Sequence, residues 1–183
     1  DHAEYRGFVL PNGLRVLLLS DKRVTQGAAA FDVGVGHFRD PHDIPGLAHF
    51  HEHMLFMGTK TYPEENEYDT FLKSNGGHSN AYTGEDHTQF FFEVNATHLE
   101  GALDRFSQFF ICPLFSESAT ERELNAVESE HSKNLQSEMF RNYQLEKSTS
   151  DPSHPYSKFA TGNKDTLSTK PKVNFAKALN LDA

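Results

Sequence analysis

The stretch from Leu47 to Met57, set between Pro45-Gly46 and Gly58, constrains this chain more than any other. Its apolar residues recur at helical spacing and the glycine after it is a natural stop, so a helix is predicted here. On a helix, His49 and His53 stand one turn apart on one face, and Glu52 lies about 60° from His49 around the axis. Two imidazoles and a carboxylate then share a focus. Neutral imidazole nitrogens are good zinc ligands, and a catalytic zinc takes three protein ligands and leaves a fourth position to water. His49 and His53 are therefore candidate metal ligands, and Glu52 is the candidate base for that water. His51 falls about 200° from His49 and points to the other side of the helix. Surface histidines on an amphipathic helix would give the same letters, so a third ligand elsewhere is the discriminating observation.

Candidates for that ligand come from a helix predicted between Thr120 and about Lys147, opening on the capping pattern Thr120-x-x-Glu123. Glu123 and Glu130 are seven residues apart, almost in register, and share their face with Val127 and Asn134. Burying both unpaired would cost several kcal/mol, a penalty removed if they face a metal or its histidines. The alternative is a solvated face, because Glu121, Glu128, Glu138 and Glu146 make this helix acidic all round. Spacing alone leaves the choice between Glu123 and Glu130 open.

The remaining elements set the fold class. Phe8 to Leu10 and Leu14 to Leu19 flank Pro11-Asn12-Gly13, the pattern of a β-hairpin, and Ala28 to Val35 reads as a third strand. A second helix is predicted from Glu64 to Leu72, a strand pair over His78 to Thr83 and Thr88 to Val94, and a further helix from Leu99 to Phe110. After Ser148 the composition reads as loop with short elements, followed by a last one at Phe175 to Leu179. An α+β fold is expected, a mainly antiparallel sheet with helices packed on it, in one domain over residues 1–183.

A net charge of −9 and the lack of any Lys/Arg run argue against a nucleic-acid partner. The longest aliphatic run, Val16 to Leu19, is far too short to span a bilayer, so no membrane partner is expected. Cys112 is the single cysteine, which excludes an internal disulfide; set in Phe109-Phe110-Ile111-Cys112 it reads as a core residue. That suits a reducing compartment, the cytoplasm or an organelle matrix.

His49-Phe50-His51-Glu52-His53-Met54-Leu55-Phe56, then Gly58-Thr59-Lys60, Glu65-Asn66-Glu67-Tyr68, Ser79-Asn80-Ala81 and Leu99 to Phe106 resemble the pitrilysin (M16) family. The inverted motif is the inverzincin signature. The likeness continues through Glu123-x-Asn125-Ala126-Val127-x-Ser129-Glu130-His131, Gln144 to Lys147, His154-Pro155 and Gly162-Asn163-Lys164, and is strongest to the insulin-degrading-enzyme branch. The resemblance implies a zinc metalloendopeptidase acting on peptides, with one Zn2+ held by His49, His53 and Glu130, Glu52 as general base and Glu123 supporting the centre from behind. It also implies that Asn80 and Ala81, on the strand from Ser79 to Thr83, pair with a substrate backbone by strand addition. Phe56, Tyr82, Phe140 and Tyr143 fall where the family lines the pocket for the residue before the cut, although ordinary core packing would account for them as well. Enzymes of this kind have four related domains in two halves that close on the substrate, and this chain resembles less than the whole of the first. The resemblance therefore also implies a C-terminal half, in cis or as a partner subunit, carrying the tyrosine and arginine that reach the oxyanion. A noncatalytic peptide- or partner-binding half and a processing-peptidase-like subunit are the alternatives within the family.

Overall fold

The computed structural model describes residues 2–171. The element expected at Phe175 to Leu179 lies outside the described residues. The chain opens with β1 (Glu4–Val9) and β2 (Arg15–Ser20), paired antiparallel with Val9 opposite Arg15. Gly13, at φ 87°, takes the turn, donating to Leu10 O at 2.8 Å, while Asn12 Oδ1 accepts from Leu14 N at 3.1 Å. β3 (Gln26–Val33) follows, and then α1 (Leu47–Leu55), α2 (Glu67–Ser74), β4 (His78–Thr83), β5 (Thr88–Asn95) and α3 (Leu99–Ile111). β3, β5 and β4 form a second antiparallel sheet with β5 in the centre, so β4 has one open edge among the described residues.

Period-two patterning explains the central strand. Thr88, Phe90, Phe92 and Val94 of β5 are buried on one face, and α2 and α3 pack over that face through Tyr68, Leu72, Ala102, Phe106 and Phe109. Each fully buried phenylalanine contributes about 1.5–3 kcal/mol of burial free energy. Phe56, just past α1, packs on the edge of this cluster with its ring centroid 5.1 Å from that of Phe109. Cys112 is not in the core; it sits half-buried at the C-terminal end of α3, its thiol 3.0 Å from Gln108 Oε1.

The long helix expected from Thr120 to Lys147 is two helices, α4 (Glu117–Asn134) and α5 (Glu138–Thr149). α4 starts a turn earlier than expected because Ser116 Oγ caps it, accepting from Ala119 N at 3.2 Å, while the Thr120 hydroxyl donates back to Ser116 O. At the break, Gln136 N and Ser137 N donate to Lys133 O and Asn134 O, a tight three-residue pattern that ends α4, and Ser137 turns extended at φ −92°, ψ 122°. The turn lets α5 swing back so that Lys147 is fully buried, its Nζ 3.0 Å from His37 Nε2 and 4.4 Å from the Tyr156 ring centre. After α5 come a short 3-10 turn at Pro155–Ser157 and a single wide turn at Asp165–Thr169. No helix among the described residues is long and apolar enough to cross a membrane.

Candidate metal centre

α1 carries the inverted motif, and Glu52, Met54 and Leu55 on it are buried. Gly46, at its start, has no side chain to cap with, and Asp40 does this from six residues upstream: Oδ2 accepts from Gly46 N at 2.7 Å and Oδ1 from Ala48 N at 2.8 Å. Asp40 is buried, which pushes its carboxyl up, against the opposing pull of these two backbone donors.

α4 crosses α1 and brings Glu130 to both histidines. Glu130 Oε2 lies 3.5 Å from His49 Nε2 and 3.7 Å from His53 Nε2, and the three atoms all fall within 4.8 Å of one another. Around a tetrahedral zinc with bonds of ~2.0–2.1 Å, ligand atoms stand about 3.3 Å apart, so this donor set fits such an ion with small side-chain adjustments.

The far side of each ring is also held. His53 Nδ1 is 3.0 Å from Glu123 Oε2, and His49 Nδ1 is 2.8 Å from the carbonyl of Thr161. Carboxylate and carbonyl oxygens only accept, so both Nδ1 atoms carry a proton, and the Nε2 atoms are the ring nitrogens that face Glu130. Glu130, foremost, and Glu123 hold the His53 imidazolium above its usual range in spite of burial; the same contact with His53 draws Glu130 below the ordinary carboxylate range. Negative charge is thus gathered around two imidazoles, an arrangement that a divalent cation neutralises.

Glu52 is 8% exposed and its Oε2 accepts from the Thr83 hydroxyl at 2.6 Å, which ties α1 to the end of β4. A cavity of roughly 670 Å3 beside it is lined by Glu52, His53, Glu123, Phe56, Asn80 and Ala81 among others. Of the residues expected to line a substrate pocket, Phe56 is therefore brought to the metal centre with Asn80 and Ala81. Tyr82 does not line this cavity: on the same exposed face of β4 as Asn80 but two residues further on, it is 46% exposed, with its ring on His87. Phe140 and Tyr143 border a groove with His131, Phe159 and Thr161, the last being the residue whose carbonyl meets His49 Nδ1. His51 lies on the opposite side of α1 against Phe115.

Thr83, Asp40 and the Thr161 carbonyl escape the sequence. Strand alternation from Ala81 would have pointed Thr83 inward, but a main-chain carbonyl has no residue signature and Asp40 lies in a loop with no helical pattern of its own.

The family model described as Insulinase (Peptidase family M16) matches residues 15–153. The chain is 57% identical over 171 residues to human (Homo sapiens) insulin-degrading enzyme, covering 93% of this chain and 17% of that protein. It is 55% identical over 174 residues to the A-factor-processing enzyme of Saccharomyces cerevisiae, covering 95% of this chain and 17% of that one. The fold superposes on the crystal structure of pitrilysin with a TM-score of 0.88 at 40% identity, over 94% of this chain and 18% of pitrilysin. The chain thus spans about a sixth of the length of the relatives it matches. With an antiparallel sheet, a histidine pair and a facing glutamate arranged as above, and a family match over most of its length, the chain belongs to peptidase family M16.

Proposed function

We propose that this chain is the metal-bearing first-domain portion of a longer zinc metalloendopeptidase, and that His49, His53 and Glu130 hold one Zn2+ for peptide-bond hydrolysis. The observation that carries this is the convergence of two imidazole Nε2 atoms on one oxygen of Glu130, with both Nδ1 protons already engaged. Zinc bound there would supply a Lewis acid to a peptide carbonyl and to the attacking water. Glu52 accepts the water's proton and passes it to the departing amine. The Thr83 hydroxyl fixes the orientation of its carboxylate. Asn80 and Ala81, on the open edge of β4, hydrogen-bond the backbone of an extended peptide laid beside the metal.

The remainder of the enzyme, in cis or as a partner subunit, completes substrate enclosure. Val9, Leu17, Leu18 and Leu19 of the opening hairpin are 52–72% exposed, an apolar surface that supports its being covered in a longer protein. The reading is tested by metal content and cleavage of a short quenched peptide, for this chain alone and joined to the remaining length of its relatives. Glu52→Gln keeps zinc and abolishes cleavage in the joined enzyme; retained cleavage would remove Glu52 as the base. Purified chain that takes up no zinc would favour a noncatalytic binding half.

A further inference from the structure

All three candidate ligands precede residue 131, yet the chain after α5 returns to the metal helix and is fastened there. Lys158 Nζ donates to the carbonyl of Phe38 at 2.9 Å and to that of Asp40 at 2.6 Å. The ammonium is half-buried and is spent on two backbone acceptors, so it acts as a staple between residues 120 and 118 positions apart. Four residues on, Gly162 at φ 77° lies against Gly46 at φ 94°, so close that a Cβ on Gly46 would stand 2.2 Å from Gly162 Cα. Between these two attachments, the Thr161 carbonyl meets His49 Nδ1. The segment is tied at its far end as well, where Lys164 N donates to Glu128 Oε2 on α4 at 2.7 Å.

The two ends of the staple bear on the same helix. Asp40, whose carbonyl accepts from Lys158, is the residue whose carboxylate caps the first turn of α1. Lys158 therefore fixes the Thr161 carbonyl relative to the origin of the helix that carries His49. Beside it, His154 and Tyr156 meet Phe38 and Phe159 meets His131 only through ring contacts, which are less directional than the two hydrogen bonds of Lys158.

Resting on the metal reading above, we propose that Lys158 is a positioning residue of the metal centre: it holds the Thr161 carbonyl on His49 Nδ1 and thereby sets the metal affinity of a site to which it gives no ligand. Partners that orient a ligating histidine are worth roughly 10–100-fold in metal affinity. Lys158→Met keeps most of the apolar stem and removes both donated bonds; Lys158→Arg keeps a cation with donors.

The test uses this chain. Zinc affinity is measured by competition with a chromophoric chelator, urea unfolding of the metal-free proteins reports the fold, and the 15N shifts of the His49 ring in metal-free protein report its tautomer. The expected result is at least a tenfold loss of zinc affinity in Lys158→Met, recovery to within about threefold in Lys158→Arg, and an Nδ1–H tautomer that is uniform in the wild type and mixed in Lys158→Met. Lys73→Met, which breaks only an exposed pair with Asp69, serves as the control and leaves all three unchanged. Wild-type affinity retained in folded Lys158→Met, with an unaltered His49 tautomer, overturns the proposal. If the wild type itself takes no zinc, the metal reading fails, and the tautomer still decides whether Lys158 positions His49. Should Lys158→Met not fold, Lys158→Gln is measured in the same way, and an unaltered tautomer there overturns the proposal too.

Discussion

Glu123 Oε2 stands 3.0 Å from Nδ1 of His53, across 70 residues of sequence and between two crossing helices. The contact assigns a ring proton to Nδ1, so in the proposed zinc site Nε2 would bind the metal and Glu123 would act on it through the histidine. Glu123→Ala is expected to weaken zinc binding by about 10–100-fold while keeping a stoichiometry of one. Glu130→Ala, which removes a proposed ligand, is expected to lose stoichiometric binding. Chelator competition with the two variants side by side checks this; Glu123→Ala binding as tightly as wild type would take Glu123 out of the centre.

Thr83 offers a test of how Glu52, the proposed base, is held. Its hydroxyl donates to Glu52 Oε2 at 2.6 Å, and hydrogen bonds to charged groups contribute about 1.5–3 kcal/mol. In the proposed enzyme, this chain joined to the remaining length of its relatives, Thr83→Val is expected to lower kcat by about 10–100-fold with KM and zinc content little changed. Thr83→Ser restores the donor and most of the rate. A rise in KM at constant kcat would mean that Thr83 serves substrate binding instead.

What the sequence disclosed about this fold follows from where the information is periodic. α1 was legible because Pro45-Gly46 and Gly58 bracket it and because His49, Glu52 and His53 can meet only on a helix. β4 and β5 were legible because Asn75-Gly76-Gly77 and Gly84 punctuate an alternating pattern. The seven-residue spacing of Glu123 and Glu130 put both on one face of α4, but which imidazole nitrogen each would meet depends on how α4 crosses α1, and a single helix cannot encode that. The break at Leu135 to Ser137 contains neither glycine nor proline. It follows from the burial of Lys147 against His37, a contact between residues 110 apart. Phe140 and Tyr143 share one groove on α5 with Thr161, a neighbour that a helix pattern read by itself does not reveal.

The contact between Gly46 and Gly162 leaves no room for a methyl group. A Cβ on Gly46 would lie 2.2 Å from Gly162 Cα and 2.5 Å from its nitrogen, both backbone atoms, at a φ of 94° that side chains rarely adopt. The left-handed conformation alone costs about 1–2 kcal/mol for alanine, and the overlap can be relieved only by separating two backbones. Gly46→Ala is expected to lower unfolding free energy by about 3 kcal/mol or more in urea titration. Gly13→Ala has open space around it and is expected to cost only the φ penalty of about 1–2 kcal/mol. Equal losses in the two variants would show that the clasp is looser than its geometry.

His37 gives the fold a dependence on pH that is independent of any metal. It is 2% exposed; its Nδ1 donates to Gly84 O at 3.0 Å and its Nε2 accepts from Lys147 Nζ at 3.0 Å, so the ring must be neutral. Burial first, and then the charges of Lys147 on α5 and Lys158 beyond it, push its pKa down from 6.5 to about 4, against the pull of the Gly84 carbonyl; Glu85 and Glu146 act on Lys147 from outside. Because the folded value lies below the unfolded one, the unfolded chain binds the extra proton between these two values. The stability contributed by neutral His37 is therefore complete above pH 6.5 and is lost as pH falls toward 4, by about 2 kcal/mol at pH 5 and about 3 kcal/mol in total. His37→Gln cannot take up that proton. The difference in unfolding free energy between wild type and His37→Gln, measured in urea at steps from pH 7.5 to 4.5, is expected to shrink across this window, and a difference constant with pH would mean that His37 is not held neutral.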